Sequence, residues 1–557
     1  MATPSPISED LEKGIEKDGM AVDTSSDRSK HSAEAPSSIE TAEPLGRLGL
    51  HLNQFERQLI KYNLEARGVQ RVEPHETHAQ TWKDYIQAFL MWISINLAAV
   101  NITLGMLAPT VYYLNFKDAA LCAAFGSLLG SLVVAYIVTW GPASGNRTMI
   151  FTRYTFGWWP SKLIVLLNLI VLLGYSMIDL VVAGQMLSAV SSDRHLSVVV
   201  GIIVVAVICW LITTFGISIF HMYMRYAWLP QLVAISILYG VSASQFDLAT
   251  PTAGDRRTRI GNRLSFFSLC FSAAITYAGG AADVFVYYPP STPRLPLFFV
   301  SLLGLVSSFS FALIVGIGLG SGVTSNAAYS AAYASGQGNL IVEGFSSLDG
   351  FGKFLGVVIA LGLIANTIFP TYSSGIDFQI LGRAAQKVPR FIWNTFGVII
   401  YTVCALAGRD HLSEIFTNFL ALMGYWLAIW IAIILEEQMI FRRRTGYDWT
   451  VWNQQNKLPM GIAALIAFLV GWVGAILCMA QVWYIGPIAK QVGEYGADMG
   501  NYVGFSWAAL VYPPLRWLEL RKLGRPTASS VRSFQHNSPT RARAPFEPGT
   551  QNGTNQK

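Results

Sequence analysis

Charge is what this sequence has least of. Asp, Glu, Lys and Arg make up 13% of its 557 residues, about half the ~25% usual in a soluble chain. Water is therefore not the solvent for most of its surface. Cysteine is scarce as well: Cys122, Cys209, Cys270, Cys404 and Cys478 all lie in or beside apolar runs. No CxxC spacing occurs, so neither a zinc site nor a disulfide framework is indicated, and buried packing is the reading for each. The 8 His are found mostly in the N-terminal region and in loops, without metal-ligand spacing. GxxxxGK[ST], HExxH and GxSxG are all missing. No covalent catalytic unit stands out, which leaves an intramembrane enzyme as the weakest reading and a small-molecule transporter as the leading one.

What is abundant is apolar. Hydrophobic residues account for 52% of the chain, with 16 Trp, a residue suited to membrane interfaces. A spanning helix needs roughly 20 mainly apolar residues. Windows of that size fall near 86–112, 118–139, 162–190, 197–216, 226–245, 264–288, 296–319, 352–371, 391–408, 412–435, 459–484 and 500–517. The expectation is an all-α polytopic membrane protein of about twelve spans, embedded in a lipid bilayer. The formal net charge of +6 reports topology rather than nucleic-acid binding, because the basic residues cluster between spans. Arg147, Arg153, Lys162, Arg383, Lys387, Arg390, Arg442–Arg444, Arg516, Arg521, Lys522 and Arg525 all fall on the side of the N-terminus. Both termini are therefore expected in the cytoplasm. The loop 247–263 runs against this, with Arg256, Arg257, Arg259 and Arg263 on the expected outer face.

The ends differ in composition. Residues 1–47 are rich in Ser, Glu, Pro and Asp with no apolar stretch, which reads as a disordered cytoplasmic tail rather than a signal peptide. Residues 48–85 carry Leu52, Phe55, Leu59 and Tyr62 among charges and read as an amphipathic cytoplasmic helix leading into the first span. Residues 524–557 read as a second disordered tail. Phosphorylation or ubiquitin signals on these tails would make trafficking or ubiquitination machinery a partner.

Polar residues at membrane depth are costly and mark pathways. The first span contains Ser94, Asn96, Asn101 and Thr103, followed by Gly105 and Pro109. The sixth contains Ser272, Thr276 and Tyr277, then Gly279-Gly280, then Asp283. Both are expected to break. Five spans separate them, so the second copy is inverted, and paired broken spans point to a midplane site. The alternative is close packing through small residues. On the third span Tyr175 and Asp179 share a helix face, with Gln185 further along. On the eighth, Asn366 and Thr367 precede Pro370, which frees one carbonyl. Asp377 near its end reads as a gate or structural residue.

The segment GPASGNRTMIFTRYTFGWWP, with MWISIN, AADVFVYYPP and IANTIFPTYSSGIDFQILG, resembles fungal purine–cytosine permeases of the nucleobase–cation symporter family over about residues 45–525. The resemblance implies a leucine-transporter-type fold. Spans 1–5 (86–245) and 6–10 (264–435) would form a 5+5 inverted repeat, with two C-terminal helices (459–517) added. It also implies alternating access and proton-coupled uptake of purine bases, cytosine or a similar small heterocycle at the plasma membrane, with a proton as coupling ion and no other cofactor. The aromatic clamp would be Tyr175 and Tyr277, the third-span polar partner Asp179 and the eighth-span amide Asn366, with Asn96 and Ser94 as further substrate contacts. Family members tend to have Trp at both aromatic positions and an amide where Asp179 stands, and a second Asn falls on or near Pro370. Some relatives carry pyridoxine, which is the alternative substrate; a non-transporting receptor of the same fold is another. Sodium-coupled relatives place hydroxyls before the eighth-span Asn. Ile364 and Ala365 stand there and offer a hard cation no side-chain oxygen. Asp179 is the first candidate to carry the proton and Asp283 the second.

Overall fold

The structure, a computed structural model, describes residues 68–191, 196–215, 223 and 225–523. The tails at 1–47 and 524–557 and the rhythmic part of the amphipathic segment, 48–67, lie outside the described residues. From Gly68 to Thr81 the chain is irregular apart from one tight turn at Pro74–Glu76, and the first described α-helix begins at Trp82.

Helices in chain order are α1 (Trp82–Asn96), α2 (Ala99–Thr110), α3 (Phe116–Val138), α4 (Trp140–Ser144), α5 (Thr148–Phe156), α6 (Pro160–Val190), α7 (Val198–Phe215), α8 (Trp228–Ser242) and α9 (Arg256–Ile275). They continue with α10 (Arg294–Ser321), α11 (Ala327–Ser335), α12 (Gln337–Glu343), α13 (Asp349–Ile380), α14 (Arg383–Gln386), α15 (Arg390–Gly408), α16 (Leu412–Glu436), α17 (Ile462–Cys478) and α18 (Gly500–Leu523). Among the described residues six helices are long and apolar enough to cross a membrane, and α1 with α2 makes a seventh, bent by 54° at its break. α7 and α17 are shorter apolar helices. α8, α9 and α18 occupy the remaining expected positions. The four arginines at 256–263 sit in the first two turns of α9, whose start is capped by Asp255 accepting from the Thr258 amide.

In lipid the apolar effect does not drive helices together, so close packing has to. α2 and α10 meet backbone to backbone: a Cβ on Gly316 would lie 1.9 Å from the Ile102 carbonyl oxygen, and one on Gly105 2.3 Å from that of Leu313.

Part of the basic charge expected to mark the cytoplasmic side is buried in this packing. Arg153 donates to the carbonyls of Trp452 and Ile380. Arg516 and Arg442 both pair with the fully buried Glu437 at 2.9 Å. Arg153 thus ties α5 to α13, and Arg516 ties α18 to the turn that follows α16.

Candidate functional site

The first span breaks at Leu97 and Ala98, whose backbones leave the helical region (φ −79°, ψ 64° and φ −131°, ψ 154°). A break at membrane depth needs new partners for the carbonyls it frees. Asn101 donates to the Asn96 carbonyl at 2.6 Å, and Asn366 on α13 donates to that of Ile95 at 3.0 Å. The sixth span breaks in the same way. α9 tightens into a 3-10 turn at Thr276–Gly279 and then runs as turns to Tyr288. Asn168 on α6 donates to the Gly279 carbonyl at 3.2 Å and to Asp377 at 2.6 Å. A Cβ on Gly279 would lie 1.9 Å from Asn168 Oδ1, so a larger residue there would displace the Asn168 side chain.

One buried cavity forms between α6, the end of α9 and α13. Tyr175, Thr276, Tyr277 and Asn366 give it polar atoms, and Val171, Leu172, Phe369 and Pro370 give it walls. The rings of Tyr175 and Tyr277 lie 6.0 Å apart, inclined at 53°. A flat ring stacked between them needs parallel planes about 7–8 Å apart, two van der Waals separations. The free space is about 10 Å³ for the centre of a water, where one water needs ~10–15 Å³. A flat ring would fit between these two side chains only if they moved apart.

Their hydroxyls hold them in place. Tyr175 donates to the Ala273 carbonyl at 3.1 Å and accepts from Thr276 at 2.8 Å. Asn366 Nδ2 donates to the Tyr277 hydroxyl at 3.1 Å. Trp92, Phe309 and Phe369 pack round Tyr277 with ring centroids 5.9–6.2 Å away.

Of the expected site residues, the structure brings Tyr175, Tyr277 and Asn366 to this cavity. Asp179, Asn96, Ser94 and Asp283 are buried elsewhere. Asp179 lies one helical turn from Tyr175 and accepts from Thr367 at 3.2 Å through Oδ2, while Oδ1 has no hydrogen-bond partner among the described residues. Asn96 donates to the Trp92 carbonyl, and Ser94 Oγ is buried without a partner among the described residues. Asp283 caps the start of α5, accepting from the Thr148 amide at 2.7 Å and its hydroxyl at 2.9 Å. Arg147, from the loop motif, reaches the Asp283 carbonyl and donates to the Tyr372 hydroxyl at 3.1 Å.

Sequence reasoning marked Thr276 as a polar residue of the sixth span but passed over Val171, Leu172 and Phe369 as cavity residues. Helical spacing could have found these three. Val171 and Leu172 are four and three residues before Tyr175, and Phe369 is three after Asn366. Pro370 stands four after Asn366, and α13 continues through it as helix.

The chain resembles known proteins along most of its length. The family model described as permease for cytosine/purines, uracil, thiamine, allantoin matches residues 72–504. The chain is 33% identical over 514 residues to the vitamin B6 transporter TPN1 of Saccharomyces cerevisiae, covering 83% of this chain and 88% of that one. It is 35% identical over 475 residues to the purine-cytosine permease fcyB of Emericella nidulans, covering 85% and 92%. The solved structure of Mhp1, a nucleobase-cation-symport-1 family transporter, in a closed conformation with bromovinylhydantoin bound, superposes with a TM-score of 0.62 at 13% identity. That match covers 84% of this chain and 98% of the other, and it is a likeness of fold.

Proposed function

The chain belongs to the family of permeases for cytosine and purines, uracil, thiamine and allantoin, so it is a multi-pass membrane transporter and not an enzyme, and we propose that it carries a purine base, cytosine or a similar small flat heterocycle into the cell with a proton. The observation that carries this is the cavity bounded by the Tyr175 and Tyr277 rings with the Asn366 amide at its edge. Two aromatic faces take a flat ring by stacking. One amide that both donates and accepts reads the edge.

Spans 1–5 and 6–10 act as an inverted 5+5 repeat to which α17 and α18 are added, giving twelve spans with both termini in the cytoplasm of a plasma-membrane protein. The asparagines support the repeat: Asn366 of the eighth span serves the break in the first, and Asn168 of the third serves the break in the sixth. Asp179 carries the coupling proton. It is buried, one turn from Tyr175, and held by a single hydroxyl. Apolar Ile364 and Ala365 stand before Asn366, a poor environment for sodium.

A second substrate reading has its own support. Both clamp positions carry phenols, and a vitamin B6 transporter is among the relatives. Pyridoxine brings hydroxyls that can pair with phenols. Uptake of labelled cytosine, adenine, hypoxanthine and pyridoxine in cells lacking their own permeases decides between the two. The proposal expects nucleobase uptake that collapses with a protonophore. Pyridoxine uptake without any nucleobase uptake moves the substrate to the vitamin. Uptake of a carried compound that ignores the protonophore removes the proton. Binding without flux in proteoliposomes makes the protein a receptor.

A further inference from the structure

Three serines lie along one face of α9 at 265, 268 and 272, spaced i, i+3, i+7. All are buried against protein rather than lipid. Each meets the last helix or the loop before it. The Asp498 amide donates to Ser265 Oγ at 2.8 Å. Asn501 Nδ2, in the first turn of α18, donates to Ser268 Oγ at 2.7 Å and to Ser272 Oγ at 2.9 Å. α16 closes in from another side at Gly424, where a Cβ would lie 1.9 Å from Ser272 Oγ. The loop end is fixed in turn: Asp498 accepts from Tyr425 on α16 at 2.6 Å, from Gln481 at 3.3 Å and from the Gly500 amide at 3.1 Å.

Ser272 is one turn from the cavity. Its carbonyl accepts from the Thr276 amide, the closing hydrogen bond of α9. Thr276 holds the Tyr175 hydroxyl, and Tyr277 follows it. We propose that Asn501 is a positioning residue for substrate binding: from the last helix it holds Ser268 and Ser272, and so fixes where Thr276 and Tyr277 meet the substrate. The last helix, with the loop before it, is then a brace on the substrate-gripping end of α9, not an appendage to the bundle. This rests on the reading of the Tyr175–Tyr277 cavity as the substrate site.

The test uses the full-length protein and two readouts. The first is uptake of labelled cytosine, or of labelled pyridoxine where cytosine is not carried. Asn501→Ala should raise KM about tenfold, as the loss of one to two buried hydrogen bonds implies, with maximal rate per surface molecule within about twofold of the parent. Ser272→Ala should do the same to a smaller degree without leaving a cavity, and Asn501→Ala with Ser272→Ala should be no worse than Asn501→Ala alone. The second readout is amide hydrogen exchange across Ser265–Ile275, which needs no substrate. It should quicken in Asn501→Ala by about tenfold.

Unchanged exchange overturns the brace whatever uptake does. Faster exchange with an unchanged KM overturns the positioning role, and Tyr277→Ala then tells why: an unchanged KM there too means the cavity reading has failed. If neither compound is carried, the exchange readout alone still decides the brace.

Discussion

The side-chain amide of Asn366 lies 3.0 Å from the Ile95 carbonyl oxygen, at the point where the first span breaks, and 3.1 Å from the Tyr277 hydroxyl, where the sixth breaks. One side chain thus joins both broken spans across the cavity. A substrate taking its edge contact from Asn366 would compete with these bonds, so binding at the cavity would be felt directly at both breaks. That would be a physical route from occupancy to movement of the two broken spans.

Replacing Asn366 tests that route. Asn366→Ala leaves the Ile95 carbonyl buried without its donor, at a cost of about 1–3 kcal/mol. Uptake should fall by roughly two orders of magnitude or more, since edge recognition is lost as well. Asn366→Asp keeps the shape but offers no amide donor and should fail almost as badly. Uptake rates normalised to surface protein make the check, and near-parental transport by either variant would remove Asn366 from the site.

The clamp makes a graded prediction. Tyr277→Phe keeps the ring and loses only its contact with Asn366, so apparent affinity should fall by about tenfold or less. Tyr277→Ala removes the stacking face and should cost another tenfold or so. Tyr175→Phe frees the ring from Ala273 and Thr276 and should change the order of preference among heterocycles more than the maximal rate. A competition panel read as inhibition constants separates these outcomes. Equal constants for Tyr277→Ala and the parent would show that Tyr277 does not touch the substrate.

Asp179 separates coupling from binding. Asp179→Asn keeps a group able to meet Thr367 but cannot take up and release a proton. Accumulation against a gradient should disappear, while exchange of labelled for unlabelled substrate in proteoliposomes continues. Asp179→Ala should abolish uptake with surface expression intact. Concentrative, protonophore-sensitive uptake by Asp179→Asn would transfer the coupling role to another acid.

How much of this could be read in the sequence follows from how local each cause is. Six long spans, α3, α6, α10, α13, α15 and α16, were legible because each is a continuous apolar window. The pairing of breaks was legible because Asn, Gly and Pro gather in the first and sixth. The place of the first break was not: it falls at Leu97 and Ala98, two ordinary apolar residues. What stabilises it there includes Asn366, 271 residues away. Tyr175, Tyr277 and Asn366 were visible as polar residues at membrane depth, and the family resemblance implied their roles. That Asp179 faces Thr367 was not, because it depends on how α6 and α13 rotate against each other. The serine face of α9 has a visible period, but its partners come from the far end of the chain.

Asp498 gives the last prediction, on pH. It lies outside the spanning helices, in the loop before α18, and is almost wholly buried. Burial pushes its carboxyl up to about 7, and bonds from Tyr425, the Gly500 amide and Gln481 offset only part of that. The titratable groups round it are Tyr112, Tyr425, Cys478 and Tyr502. In an unfolded chain its pKa is about 3.9. Between about pH 4 and 7 the folded protein therefore holds a proton that the unfolded chain has released. Stability must fall as pH rises through that window, and above about 7 the ionised group is carried at full cost. Purified protein should lose thermal stability from about pH 5 to pH 8, and Asp498→Asn, which cannot ionise, should lose less of it. The comparison is the difference between the two melting curves across pH, so groups that titrate equally in both proteins cancel. Parallel curves would mean that Asp498 stays ionised throughout, stabilised well enough by Tyr425 and Gln481 to hold its charge in a buried loop.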